Sequence, residues 1–392
     1  MSASAQRYTF DAVWDGHAFR GHATYEVDGN LLRAVTPTPT ATATATPAAP
    51  TTVAAPAPTT PATSTPIHLG GALIPHLTDH HTHLGLTDQR ALFAAGITDA
   101  VDLGWIPEVA STWLEGDLDR PAVAIAGALL TSPGGYPVNA GWGPPGSSAE
   151  LTGPSAARDA VRKQVMLGAS RIKVALNTDA GTTVDNSTLA AIVEEAAAAG
   201  VPVTVHAQGE GQVARTIAAG ADQLAHAPFS ERVDDADLVR AVDAGMSWVS
   251  TIDIHGWGTP TADFAVAQDN IRRFVALGGR MLYGTDLGNG PLPVGVNQRE
   301  LEALSDCGLD DAALLTSIAT APAGTAPAPS AAEAHTPTSP TDLIGPRFAW
   351  LPTVLPPLTA STPGTPSRVP AWLATARGCT VASLRTHTQE PA

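Results

Sequence analysis

Cysteine, lysine and aromatic residues are all scarce in this chain of 392 residues, and cationic charge is in deficit. The two cysteines, Cys307 and Cys379, lie far apart without a CxxC spacing. That excludes a disulfide framework or zinc ribbon and fits a reducing compartment. Basic residues number 21 against 37 acidic ones, a formal net charge of -16, which disfavours nucleic acid and anionic membrane as partners. No stretch approaches the roughly 18 apolar residues of a membrane span, and MSASAQRYTFDAVWDG has no apolar leader core. The expectation is a cytoplasmic protein acting on a small molecule, and self-association into a homo-oligomer is compatible with it. Only two of the basic residues are lysines, Lys163 and Lys173.

The length suits one large α/β domain with a small appendage. Residues 8 to 35 alternate apolar and polar positions around Asp15-Gly16 and Asp28-Gly29, which predicts hairpins of a small β-sandwich. Residues 36 to 66 are Thr, Pro and Ala apart from Val53 and Ser64, a linker in which no packed structure is expected. From 67 to 321, short apolar runs alternate with Ala-rich amphipathic segments, as in βα units around a parallel sheet. Strands are predicted at 72–80, 97–103, 121–129, 170–176, 201–206, 221–226, 246–252 and 280–285. Helices are predicted at 88–95, 155–168, 187–199, 210–219, 234–244 and 262–277, each followed by glycine at Gly96, Gly168, Gly200, Gly220, Gly245 and Gly278. Eight strands over about 250 residues match a (β/α)8 TIM-like barrel, and no GxGxxG follows an early strand, as an open doubly wound nucleotide-binding sheet would have it. The tail, 322–392, holds 13 prolines and no lysine, so the sandwich is expected to be incomplete.

In such a barrel the chemistry sits at the carboxyl ends of the strands. Asp79-His80-His81-Thr82-His83 ends the first strand, with His81 and His83 on one face because i and i+2 of a strand point the same way. Lys173 lies in the fourth strand, His206 ends the fifth, His226 the sixth and Asp286 the eighth. Alone, each has an ordinary structural explanation. Together, four imidazoles, one amine and one carboxylate at one rim point to divalent metal. A lysine inside Ile-Lys-Val-Ala-Leu is costly without a purpose. Buried and neutral, its amine can take up CO2 to become an anionic, metal-bridging carbamate.

Residues 67 to about 320 resemble the metal-dependent amidohydrolase superfamily, most closely its imidazolonepropionase-like and Xaa-Pro-dipeptidase-like branch. The matching motifs are Leu73-Ile74-Pro75 through His83-Leu84, Ile172-Lys173-Val174, Val205-His206-Ala207, Ala225-His226-Ala227 and Gly284-Thr285-Asp286. The resemblance implies two metals, usually zinc: one held by His81, His83 and Asp286, the other by His206 and His226, with carbamylated Lys173 bridging. It implies hydrolysis of a non-peptide C–N bond, as in a cyclic amide, an N-acyl compound or a dipeptide-like substrate, by a metal-activated hydroxide with Asp286 as proton shuttle. Two features depart from the pattern: Pro75-His76 stands where Pro-Gly is usual, and no closing sandwich strands are evident after residue 325.

Substrate contacts are expected from rim loops, with Tyr136, Trp142, Trp257 and Asn289 as candidates, Trp105 beside them, and an exposed His255 as donor to a developing oxyanion. The same site can support lactonase or phosphotriesterase chemistry. A third reading is an inactive metal-binding relative with damaged flanks.

Overall fold

Aromatic and β-branched residues of the amino-terminal run form the strands Arg7–Phe10, Ala12–Trp14, Phe19–Arg20, Ala23–Asp28 and Leu31–Ala34. The hairpins turn at Asp15-Gly16 and Gly29, where φ is +99° at Gly16 and +61° at Gly29, the left-handed region glycine enters without a Cβ penalty. The computed structural model describes residues 5–35, 65–138, 140–322, 341–355 and 366–387. Most of the predicted linker, 36–64, therefore lies outside the described residues.

The sandwich is more complete than its sequence suggests, which corrects the expectation of missing closing strands. One five-stranded sheet runs in the order Leu343–Ile344, Leu31–Ala34, Ala23–Asp28, Arg7–Phe10, Ile67–His68. The other runs Arg377–Thr380, Arg347–Leu351, Ala72–Ile74, Ala12–Trp14, Phe19–Arg20. Tyr8, Phe10, Tyr25, Leu73, Phe348 and Cys379 pack together between them, with Phe10 edge-on to Tyr25 and Phe348. Each such burial contributes roughly 1.5–3 kcal/mol. Tail segments escape recognition because they are short and find their partners some 300 positions away, as Ile344 does on Leu32.

The parallel strands fall into two sheets. A three-stranded sheet contains Ala122–Ile125, Asp99–Asp102 and Thr78–Thr82. A seven-stranded one runs Ser148–Glu150, Leu129–Thr131, Ile172–Asn177, Val203–Gln208, Gln223–Leu224, Ser247–Val249, Arg280–Leu282. The end of the first strand bonds to the segment following the last: His80 N donates to Tyr283 O at 3.0 Å, Asp286 N to His81 O at 2.8 Å and His83 N to Leu287 O at 2.8 Å. Helices Gln89–Ala94, Pro154–Met166, Asn186–Ala198, Gln212–Ala218, Asp235–Asp243 and Ala262–Ala276 occupy the predicted intervals. Gly96, after the first of them, sits at φ +98° with no room for a Cβ, which would lie 2.9 Å from the Ala376 backbone.

Two predicted strands are each divided. Within 72–80, Pro75 offers no N–H to a ladder, so Ala72–Ile74 joins the sandwich and Thr78–Thr82 the parallel sheet. The sandwich thus takes Ile67–His68 and Ala72–Ile74 from the segment assigned to the barrel. His76, half-exposed, reaches Asp99 at 3.0 Å. Within 121–129, Gly127 at φ +73° breaks the run into Ala122–Ile125 and Leu129–Thr131. Cys307 and Cys379 are both buried free thiols. No helix among the described residues is long and apolar enough to cross a membrane.

Candidate metal centre

His81, His83 and Asp286 meet at the seam between the first and last strands. The Nε2 atoms of the two histidines lie 3.1 and 3.2 Å from Asp286 Oδ1, and all three side chains are buried. His81 Nδ1 sits 2.8 Å from Ala225 O and His83 Nδ1 3.1 Å from Gly104 O. Carbonyls only accept, so each Nδ1 carries the hydrogen and each Nε2 presents a lone pair. Asp286 Oδ1 therefore faces two lone pairs and has no hydrogen-bond partner. With both rings neutral, three acceptors converge without a proton among them, a donor set and spacing suited to one divalent ion.

The remaining imidazoles repeat the arrangement. His226 Nδ1 lies 2.9 Å from Thr251 Oγ1, and His206 Nε2 is engaged by Gln208 Oε1 at 3.1 Å and Asn177 Nδ2 at 3.4 Å. One nitrogen of every ring is held by the protein and the other left over, as metal-ligating histidines require. The ring centroids of His81 and His226 are 4.7 Å apart, those of His206 and His226 4.8 Å.

Lys173 pairs in register with Thr204, two positions before the Ala175–His206 pair, so its side chain shares a face with Asn177 and lies beside the His206 strand. It is buried, and its Nζ has no hydrogen-bond partner. An ammonium in that position is costly, and burial pulls the amine down to about 7 against the opposing pull of Asp286 and Asp102. Burial likewise lowers His81 to about 4 and His206 to about 3, and takes His226 well below the usual imidazole value. These rings are neutral and ligand-competent near pH 7. At His83 burial is outweighed by Asp286, and the value rises. At Asp286 burial is outweighed by the surrounding histidines, His81 first, which hold its carboxyl well below the carboxylate range.

Several residues that hold this centre are not evident from sequence. Asp79 accepts from His81 N and Thr285 N, both at 3.0 Å, and from Thr285 Oγ1 at 2.5 Å, tying the first strand to the last. Asp102 accepts from Leu84 N at 2.8 Å and Gly104 N at 3.2 Å, fixing the backbone on both sides of the His83 ring. Among the described residues, the non-glycine positive φ values are Thr251 (+44°), Trp257 (+49°) and Asp286 (+58°), all at this rim. Backbone strain of this kind clusters at functional sites. The one sequence signal for Asp79 is an acid two residues before His81.

The loop residues divide into groups. Tyr136 stacks on His206 at 5.0 Å, Trp142 lies 4.8 Å from His83, and Trp142 Nε1 donates to Tyr136 Oη at 3.1 Å, so both lie against the histidine cluster. Asn289 is exposed, and its Nδ2 donates to Asp286 Oδ2 at 2.9 Å, while Trp257 Nε1 donates to Asn289 O at 3.3 Å. Trp105 packs over Gly85, whose Cβ would meet the indole at 2.0 Å. His255 is buried, correcting the exposed position expected of it. Its ring lies 4.3 Å from Phe229, its Nε2 has no partner, and burial lowers it to about 4.

No family model matches the chain, and no curated protein matches it. Solved structures do. A Xaa-Pro dipeptidase with bound methionine in the active site aligns over 80% of this chain and 87% of its own, at 19% identity and a TM-score of 0.60. Ochratoxinase of A. niger aligns over 81% and 83%, at 18% identity and a TM-score of 0.59. Phenylurea hydrolase B aligns over 80% and 85%, at 15% identity and 0.56. At these identities the likeness is one of fold, and the resemblance to metal-dependent amidohydrolases holds at that level.

Proposed function

We propose that this chain is a metal-dependent hydrolase of a non-peptide C–N bond, built on a (β/α)8 barrel in which the two parallel sheets join through the seam at His80–His83 and Tyr283–Leu287. The observation that carries the reading is the set of unshared acceptors at His81, His83 and Asp286 beside the partnerless amine of Lys173. His81, His83 and Asp286 would hold one ion, His206 and His226 a second, with Lys173 between them as its carbamate. Forming that group joins the amine nitrogen to CO2 carbon and releases one proton to solvent. Zinc, when bound, would supply Lewis acidity and lower the pKa of a coordinated water. Asp286 takes the proton from the attacking water and gives it to the departing nitrogen. Its Oδ2, oriented by Asn289, is the oxygen for that traffic, since Oδ1 is turned to the histidines. The inactive-relative reading rested on missing closing strands, which the sandwich contains.

The substrate is an uncharged carbonyl compound with a planar group. Tyr136 and Trp142 form an aromatic wall over the ligands, which suits flat apolar surface. Two helix arginines near the rim are engaged elsewhere: Arg215, of the helix Gln212–Ala218, with Thr183, Val184 and Asn186, and Arg299, of the helix Gln298–Asp306, with Asp253. Neither is placed to clamp a substrate carboxylate. Metal-loaded enzyme assayed with N-aryl amides, carbamates and ureas against dipeptides and N-acyl amino acids tests this. Higher kcat/KM on the uncharged set is expected. Preference for carboxylate-bearing substrates would overturn the uncharged assignment, and hydrolysis of esters or phosphotriesters alone would overturn the C–N reading.

A further inference from the structure

Outside the rim, three ligand-type side chains converge on an edge of the sandwich: Asp11, His22 and His68, with donor atoms all within 4.8 Å of one another. Strand pairing places them there. Thr9 is in register with His68 and Phe10 with Ala23, so Asp11 follows one register and His22 precedes the other. His68 Nδ1 meets Thr9 Oγ1 at 3.1 Å, which leaves Nε2 directed 3.4 Å from Asp11 Oδ1. Asp11 Oδ2 accepts from Gly71 N at 2.9 Å, and the His22 ring stacks on His68 at 6.0 Å.

The 3.4 Å separation is long for an N–H···O bond. It matches the distance of about 3.4 Å between two donor atoms each about 2.1 Å from one tetrahedral ion. All three side chains are exposed, and the two contacting ligands are fixed from behind, His68 by Thr9 and Asp11 by Gly71, as the ligands of a metal site are.

We propose that Asp11, His22 and His68 bind one borderline divalent ion, Zn2+ as the probe, with the open coordination positions left to water. Two imidazoles and one carboxylate suit that class. The ion clips the short edge strand Ile67–His68 to the turn at His22, and by mass action it stabilises the sandwich as free Zn2+ rises. The site is independent of the rim chemistry.

Equilibrium dialysis of the full chain, already loaded at the rim, against graded Zn2+ tests this. Wild type is expected to bind one saturable equivalent more than the His22→Ala/His68→Ala variant, with hydrolytic activity equal in the two. Thr9→Val, which keeps strand shape but frees the His68 ring, should weaken the extra equivalent by about 10–100-fold. Equal stoichiometry in wild type and the double variant would overturn the proposal. So would binding undiminished in Thr9→Val, which would mark an adventitious surface ion.

Discussion

Removing the Asp79 carboxylate should loosen the metal centre and the fold together, whereas replacing it with an amide should do neither. Asp79 is fully buried and receives three hydrogen bonds, from His81 N, Thr285 N and Thr285 Oγ1. Asp79→Ala strands two backbone N–H groups in a dry interior, while the Thr285 hydroxyl can rotate to another acceptor. At roughly 1–3 kcal/mol per stranded donor, the loss is about 2–6 kcal/mol. Asn in the same place accepts both N–H groups at Oδ1, and its Nδ2 donates to the Thr285 hydroxyl. Burial already raises the Asp79 carboxyl to about 7, so a neutral side chain is a fair stand-in near neutral pH. Urea unfolding at pH 7 with unchanged m-values should show Asp79→Asn within about 1 kcal/mol of wild type. Because Asp79 fixes the backbone of His81, the alanine variant should also lose about 10–100-fold in metal affinity. Equal destabilisation by both substitutions, or an alanine variant as stable as wild type with metal affinity intact, would refute the view that Asp79 joins the two ends of the sheet.

Thr251 holds a β-branched residue at φ +44° while its hydroxyl contacts His226. Thr251→Gly should leave stability unchanged or raise it by up to about 1 kcal/mol, while weakening the ion at His226. Calorimetry and metal titration on one sample separate the two effects. Burial raises the Glu300 carboxyl from 4.5 to about 7, so the folded chain holds this proton more tightly than the unfolded one. Its stabilising contribution is complete below about 4.5 and is lost as pH climbs through 7, by about 3 kcal/mol. Glu300→Gln should flatten the stability profile between pH 5 and 7.5; an unchanged slope counts against it. Trp142→Ala should raise KM for a flat substrate more than it lowers kcat, read by steady-state kinetics on the same loaded enzyme.

The parallel-sheet region was legible because its signals are local. Helix lengths, the glycine after each helix, and His81 and His83 two apart on one strand all follow from neighbours in sequence. Lys173 stood out through its rarity and its apolar surroundings. What escaped notice depends on contacts between distant segments. The Asp79–Thr285 bonds span 206 positions, and the closing strand Arg347–Leu351 pairs with Ala72–Ile74 without any pattern strong enough to mark it. The hydrogen bond from the Asn289 amide to Asp286 is likewise not evident from its neighbours in sequence. His255 looked exposed because Ile-His-Gly carries no trace of Phe229, which covers it. Local periodicity thus brings out the candidate ligands but not the residues that hold them.

The central claim is that Lys173 and the four histidines hold two ions together. Metal content of the protein purified with added bicarbonate and zinc tests it most directly, measured for wild type and for Lys173→Ala confirmed folded by circular dichroism. About two equivalents in wild type at the rim, falling in the lysine variant and accompanied in wild type by a mass increment of one CO2, is the predicted result. A wild-type chain that stays folded and binds no metal at His81, His83 and Asp286, or a Lys173→Ala variant that keeps both ions, would contradict it.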